Sequence, residues 1–130
     1  SRFHHLPGEE ITAGIKEILT AAHISTLRRQ VRAILIEEKL LRFIAKIVTA
    51  TRSHKSIYLG ASPRASLAIM ASAKATAAMQ GRDFVTPEDI LEMTVPVLRH
   101  RIILTPEKEM EGGTEDDVIR EIIQSLEIPR

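Results

Sequence analysis

The stretch between Ser62-Pro63 and Gly81 limits the possible folds more than any other part of the chain. It opens with a pair suited to starting a helix. A serine at the N-cap accepts backbone N–H bonds, and proline loses nothing at the first helical position, where its missing N–H would have had no partner. It closes at a glycine, and Ala65, Ala68, Ala71, Ser72, Ala75 and Ala78 recur between the two ends. Alanine has the highest helix propensity, and side chains this small let neighbouring helices approach closely. The sequence therefore predicts a helix to about Gln80, placed centrally among other helices. Aromatic residues make up only 3% of the chain, with no tryptophan, so the core around that helix must be aliphatic. A chain of 130 residues, 44% hydrophobic and 27% charged, is one domain of ordinary size. It can bury a core without metal or disulfide support.

Further helices follow from spacing and capping. Pro7-Gly8 precedes a helical pattern over about residues 9–21, with Ile11, Ile15, Ile18 and Leu19 on one face. Ser25 is placed to cap a short helix over about residues 26–34. Ile36-Glu37-Glu38 leads into a helix ending near Thr51, whose stripe is Leu40, Leu41, Ile44, Ile47 and Val48. Residues 52–62 form a connection holding the apolar cluster Ile57-Tyr58-Leu59 and then Gly60. Thr86-Pro87-Glu88-Asp89 is a strong helix start, with an acid three residues after the cap. Ile90, Leu91, Thr94, Val97 and Leu98 form its buried side, and Pro96 predicts a bend near its end. Ile102-Ile103-Leu104 reads as a short strand that pairs with Ile34-Leu35-Ile36. Gly112-Gly113 marks a joint before a last helix that starts at Thr114-Glu115-Asp116-Asp117 and ends near Ile128-Pro129, with Val118, Ile122, Ile123 and Leu126 on its apolar face. The expected fold class is all-α: a small bundle of five or six helices with a minor two-stranded element.

Several function classes are excluded or disfavoured. Without cysteine there is no disulfide framework, cysteine-based zinc site or thiol nucleophile, which fits a reducing, cytoplasmic compartment. No apolar run approaches a membrane span, and no secretory pattern opens the chain. A net charge of +1 argues against a chain built mainly to hold nucleic acid. The five histidines show no ligand spacing, so no metal site is expected. Ser62 lacks the strand-to-helix context of a hydrolase nucleophile. Arg28-Arg29, Arg32, Arg52, His54 and Lys55 read as solvated basic positions, and the acidic run from Glu107 to Asp117 as a solvated linker. Arg99-His100-Arg101 at a helix end complements the helix dipole, with contact to a neighbouring subunit or domain as the alternative.

The segment that carries chemistry is Tyr58-Leu59-Gly60-Ala61-Ser62-Pro63-Arg64-Ala65. A helix N-terminus offers free N–H groups and partial positive charge, and an arginine in its first turn adds a fixed cation with several donors. Together they suit a phosphate or other anion, and such an arginine can stabilise charge on a transferred phosphoryl group. Gly60 gives the connection enough backbone freedom for another surface to come close. The residues alone favour a plainer account, a well-capped helix carrying a solvated arginine, because capped helix starts are common.

The alternatives separate once four segments are taken in order: A-T-R at 50–52, G-A-S-P-R-A at 60–65, G-R-D-F-V-T-P-E-D-I at 81–90 and V-L-R-H-R-I at 97–102. The ordered set resembles the C-terminal helical lid of MoxR-type AAA+ ATPases, densely over about residues 36–106 and more weakly on both sides. The resemblance implies that Arg64 is the sensor 2 arginine, reaching the γ-phosphate of ATP held on a large domain. It implies that Tyr58, Gly60, Ser62, Pro63 and Arg64 are nucleotide-binding, with Tyr58, Leu59 and Gly60 bordering the adenine side of the cleft. The cofactors implied are ATP and Mg2+. The partners implied are the large AAA+ domain of the same chain, identical subunits in a ring, and proteins with a von Willebrand A domain, with neither nucleic acid nor membrane. Chaperone-like remodelling of client proteins is the implied activity. Residues 1–22 are then expected as a hinge-proximal helix, 23–111 as the lid core and 112–130 as the C-terminal helix.

No G-x-x-x-x-G-K-[ST] phosphate loop is present, and no apolar strand ends in paired acids to supply a Walker B magnesium site. By itself this stretch is expected not to hydrolyse ATP. A reading from a different class is an all-helical module that binds nucleic acid or protein, because V-T-P-E-D-I also suits DNA-associated helical folds; salt-sensitive DNA binding would mark it.

Overall fold

The computed structural model describes residues 13–130. The described residues form six helices and two short strands: α1 (Ala21–Arg32), α2 (Glu38–Thr51), β1 (Ile57–Leu59), α3 (Arg64–Met79), α4 (Pro87–Leu98), β2 (Ile103–Leu104), α5 (Pro106–Met110) and α6 (Glu115–Ser125). The all-α class with a minor sheet is as expected. The central helix is α3, which packs against α1, α2 and α4, while α6 closes the bundle against α2 and α4.

The reason for that centrality is a ridge along α3. Ala65, Ile69, Ala73 and Ala77 follow one another at four-residue intervals and are fully buried. An i, i+4 row is the ridge that helices interdigitate in close packing, and three alanines in the row let the neighbours' larger side chains fill the space. Of the small residues expected to do this, Ala71 is exposed and Ala68, Ala75 and Ala78 are only half-buried. Leu40, Phe43, Ile44, Ile47 and Val48 of α2, Ile90, Val95 and Leu98 of α4, and Val118, Ile119 and Ile122 of α6 complete one core. Phe43 is buried where Leu41 was expected; Leu41 faces solvent.

Capping sets most helix starts. In α4 and α6 the hydroxyls of Thr86 and Thr114 accept from the amides of Asp89 and Asp117, whose carboxylates accept from the cap amides in return. These are the starts read from the sequence. The ends are less regular. α4 continues through Pro96 to Leu98, since a proline in the last turn costs one bond and this ring lies exposed. α6 stops at Ser125 and not near Ile128, because Leu126 is already extended. At the end of α3, Gly81 takes φ +73° while the amides of Gly81 and Arg82 bond back to the carbonyls of Ala78 and Ala77. This left-handed cap, which favours glycine, explains the stop expected there.

The G-R-D-F-V-T-P-E-D-I segment is a structural joint. Arg82 donates two 2.7 Å bonds to the carboxylate of Asp89, which also accepts from the amide of Thr86 at 2.8 Å. Asp89 is 3% exposed. Burial alone would raise its carboxyl, but the Arg82 guanidinium and the Thr86 bonds hold it below the usual carboxylate value.

Four expectations are corrected. The helix over about residues 9–21 is absent from residues 13–20; residues 9–12 lie outside the described residues. The first described helix starts instead at Ala21, because the Thr20 hydroxyl accepts from the His23 amide and His23 Nδ1 accepts from the Thr20 amide. Ser25 therefore lies inside α1 and caps nothing. Third, β2 does not pair with residues 34–36. It runs antiparallel to β1, with Ile57 opposite Leu104 and Leu59 opposite Ile103. Leu35 bridges Phe84 in the loop between α3 and α4. Short apolar runs carry no record of their partner. Finally, part of the acidic stretch taken as a linker folds as α5, capped by Thr105 with Pro106 in its first turn.

Candidate functional site

The end of α2, strand β1 and the start of α3 meet around the backbone of residues 60 and 61. Thr51 is completely buried. Its hydroxyl donates to the carbonyl of Val48 at 2.6 Å and accepts from the amide of Ala61 at 3.0 Å. Next to it, Arg52 Nε donates to the carbonyl of Ala61 at 3.0 Å. Both backbone groups of Ala61 are thus held by side chains from the last residue of α2 and the one after it. Gly60 crosses the helix end so closely that a Cβ there would stand 2.6 Å from the Thr51 carbonyl oxygen and 2.8 Å from the Cα and N of Arg52. The requirement at Gly60 is lack of bulk against its own fold, and not only freedom to admit another surface.

Beyond this crossing the chain enters α3. Pro63 has helical angles (φ −56°, ψ −24°), as expected for proline at a helix start. The carbonyls of Ser62 and Pro63 accept from the amides of Ala65 and Ser66 at 2.9 and 3.0 Å. The serine cap is corrected: no side-chain cap bond is made at this start, and Ser62 contributes its carbonyl. Arg64 is the first residue of α3. Its side chain is exposed and ion-pairs with no carboxylate among the described residues. No acid stands in the first turn of α3 to offset it. The arrangement is a cation on the positive end of a long helix, aimed outward from a fixed backbone.

Tyr58 is 76% exposed, so it is not core, and Leu59 is exposed as well; Ile57 alone anchors β1 inward. The structure thus places Tyr58, Gly60, Ser62, Pro63 and Arg64 along one continuous segment, with Gly60 the most enclosed of them. From the sequence Thr51 is only a helix end and Arg52 only a solvated basic position, besides their place in a family-like triplet. Their signal was a polar residue ending an otherwise apolar stripe, and nothing local says what such a hydroxyl bonds.

Other candidates resolve locally. Arg99 forms a two-bond pair with Asp116 at 3.0 and 2.9 Å, tying the end of α4 to the start of α6. Arg101 donates to the carbonyl of Val97, a helix-end contact of the kind expected. His54 Nδ1 accepts from the Ser56 amide, and its Nε2 lies 3.4 Å from Glu121. Among the described residues no three His, Cys, Asp or Glu side chains gather as metal ligands, and no helix is long and apolar enough to cross a membrane.

Comparison with known proteins gives these features a context. Residues 49–122 match the family model described as AAA lid domain, from the α2 end through the start of α3 into α6. The chain is 38% identical over 103 residues to the uncharacterized protein YeaC of Bacillus subtilis, covering 79% of this chain and 32% of that protein. It is 32% identical over 124 residues to the chaperone MoxR1 of Mycobacterium tuberculosis, covering 88% of this chain and 33% of that one. Among solved structures, a candidate ATPase from Cytophaga hutchinsonii superposes with a TM-score of 0.83 at 30% identity, covering 94% of this chain and 42% of that one. The chain spans about a third of the length of the curated relatives it matches.

Proposed function

This chain belongs to the AAA lid domain family and is a lid of the MoxR type, and we propose that it closes over ATP bound to a companion domain and senses its γ-phosphate through Arg64. One observation carries the reading: Arg64 stands exposed, with no carboxylate partner among the described residues, on the positive end of α3, from a backbone pinned at Ala61. The donor chemistry fits a phosphate. A guanidinium presents a rigid fork of N–H donors, and a helix N-terminus without acids favours anions. Tyr58 and Leu59, exposed beside Gly60, would face the base, and Ser62 and Pro63 would set the approach of Arg64 to the phosphates. Magnesium neutralises phosphate charge in such chemistry, and its ligands would come from the companion domain.

In this reading the lid is the moving part of a cytoplasmic ATPase. Its angle to the large domain of the same chain would follow nucleotide state through Arg64, in a ring of identical subunits that remodels client proteins. Proteins with a von Willebrand A domain are the partner class proposed. The similarity to a protein named as a chaperone and to a candidate ATPase supports the remodelling and ATPase parts of this reading. The test is Arg64→Ala in the intact ATPase. Removing one preorganised donor to developing charge lowers kcat by roughly 100-fold or more. Unchanged ATP turnover in a folded Arg64→Ala protein would refute the assignment.

A further inference from the structure

We infer that Thr51 and Arg52 are positioning residues for Arg64: together they clamp the backbone from which its guanidinium is aimed. The inference rests on the assignment of Arg64 to the nucleotide phosphate. A threonine ending a helix ordinarily satisfies its hydroxyl on its own preceding turn, and Thr51 does so with Val48 at 2.6 Å. What such a residue does not need is a second bond to a loop ten positions away, yet the same oxygen accepts from Ala61 at 3.0 Å. Arg52 then takes the carbonyl of the same residue. An exposed arginine spends its Nε on one loop carbonyl, next to a fully buried hydroxyl that takes the matching amide. The result is a two-point hold on a single peptide position, with Gly60 pressed against the same helix end so that no side chain separates them.

Three residues later stands Arg64. The intervening path has little freedom: Ala61 is buried, the ring of Pro63 restricts φ, and the carbonyls of Ser62 and Pro63 are already in the first turn of α3. The clamp also has an anchor. Thr51 ends the helix that places Ile44, Ile47 and Val48 in the core. Arg64 is therefore referenced to the packed interior of the lid through the end of α2, as well as through α3. A group that must meet a phosphate in one geometry gains from such a reference, because a misplacement of about 1 Å costs up to roughly 100-fold in rate.

The experiment compares Thr51→Val, Thr51→Ser, Arg52→Met and Arg64→Ala in the intact ATPase, singly and with each clamp variant on the Arg64→Ala background. Valine keeps the shape of threonine and loses both bonds; serine keeps both. The expected result is a fall in kcat of roughly 10-fold for Thr51→Val and a smaller fall for Arg52→Met, with the KM for ATP changed less than kcat. Thr51→Ser should retain most of the wild-type kcat. On the Arg64→Ala background neither clamp variant should lower turnover further, because residues acting through one group are not additive. The inference is overturned if Thr51→Val keeps the wild-type kcat, or if it lowers turnover by the same factor with and without Arg64. Should Thr51→Val fail to fold, Arg52→Met, which changes an exposed side chain, decides the question by the same two criteria. If Arg64→Ala alone leaves turnover unchanged, the phosphate assignment fails first and takes the clamp with it, an outcome distinct from a loss at Arg64 that the clamp variants do not share.

Discussion

Replacing Gly60 with alanine tests the crossing of the chain over the end of α2. The added methyl would stand 2.6 Å from the Thr51 carbonyl oxygen and 2.8 Å from Arg52 Cα and N, all of them backbone atoms that cannot swing aside. Comfortable separation begins near about 3.5 Å, so the loop must retreat by roughly 0.7–0.9 Å. Both bonds to Ala61 are 3.0 Å long. Stretched by that much they pass about 3.5 Å and cease to be hydrogen bonds. Two lost bonds cost about 1 kcal/mol each, and the residual overpacking costs about 1–3 kcal/mol. Alanine returns about 0.4–1 kcal/mol by restricting the unfolded chain. The net destabilisation is about 2–5 kcal/mol. Urea unfolding of this chain should show the midpoint lowered by roughly 1–2 M with the slope unchanged. Combined with Thr51→Val, the loss should be less than the sum, because both remove the same bond to Ala61. A midpoint within about 0.2 M of the parent would refute the reasoning, since it would mean the crossing relaxes without loosening the clamp.

Asp89→Ala removes the two Arg82 bonds and the return half of the capping box, and should destabilise by about 3 kcal/mol, the lower end for a buried pair because Arg82 stays 26% exposed and can rehydrate; a midpoint shift equivalent to less than about 1 kcal/mol would count against the pairing. The same carboxylate predicts a pH dependence. Its value is lowered in the folded state, so its contribution is fully present above the ordinary value of 3.8 and is lost as pH falls through the lowered folded value; acid unfolding of Asp89→Asn should lack this component. Ala73→Leu forces bulk into the α3 ridge and should cost about 1–3 kcal/mol or more, whereas Ala71→Leu, on the exposed side of the same helix, should stay within about 0.5 kcal/mol; equal effects in thermal unfolding would contradict the ridge.

Local chemistry was legible in the residues themselves. Thr86-Pro87 with Asp89, Thr114 with Asp117, and Pro63 followed by an alanine-rich run ending at Gly81 each encode a helix boundary within a few residues, because capping bonds and proline and glycine geometry act between near neighbours. Arg64 at the head of α3 belongs to that class, and so did Thr105-Pro106, whose charged continuation masked a helix start of the same kind. What only the tertiary structure decided was which elements touch. The row of small residues by itself does not say that the buried ridge is Ala65, Ile69, Ala73 and Ala77. The run at residues 102–104 is as apolar toward residues 34–36 as toward β1, and packing gave it β1. Thr51 looks like any polar helix end until the chain returns ten residues later and places Ala61 against its hydroxyl. Short-range bonds are specified by neighbours in sequence, whereas partners across the fold are selected by the competition to fill one core, which no single segment records.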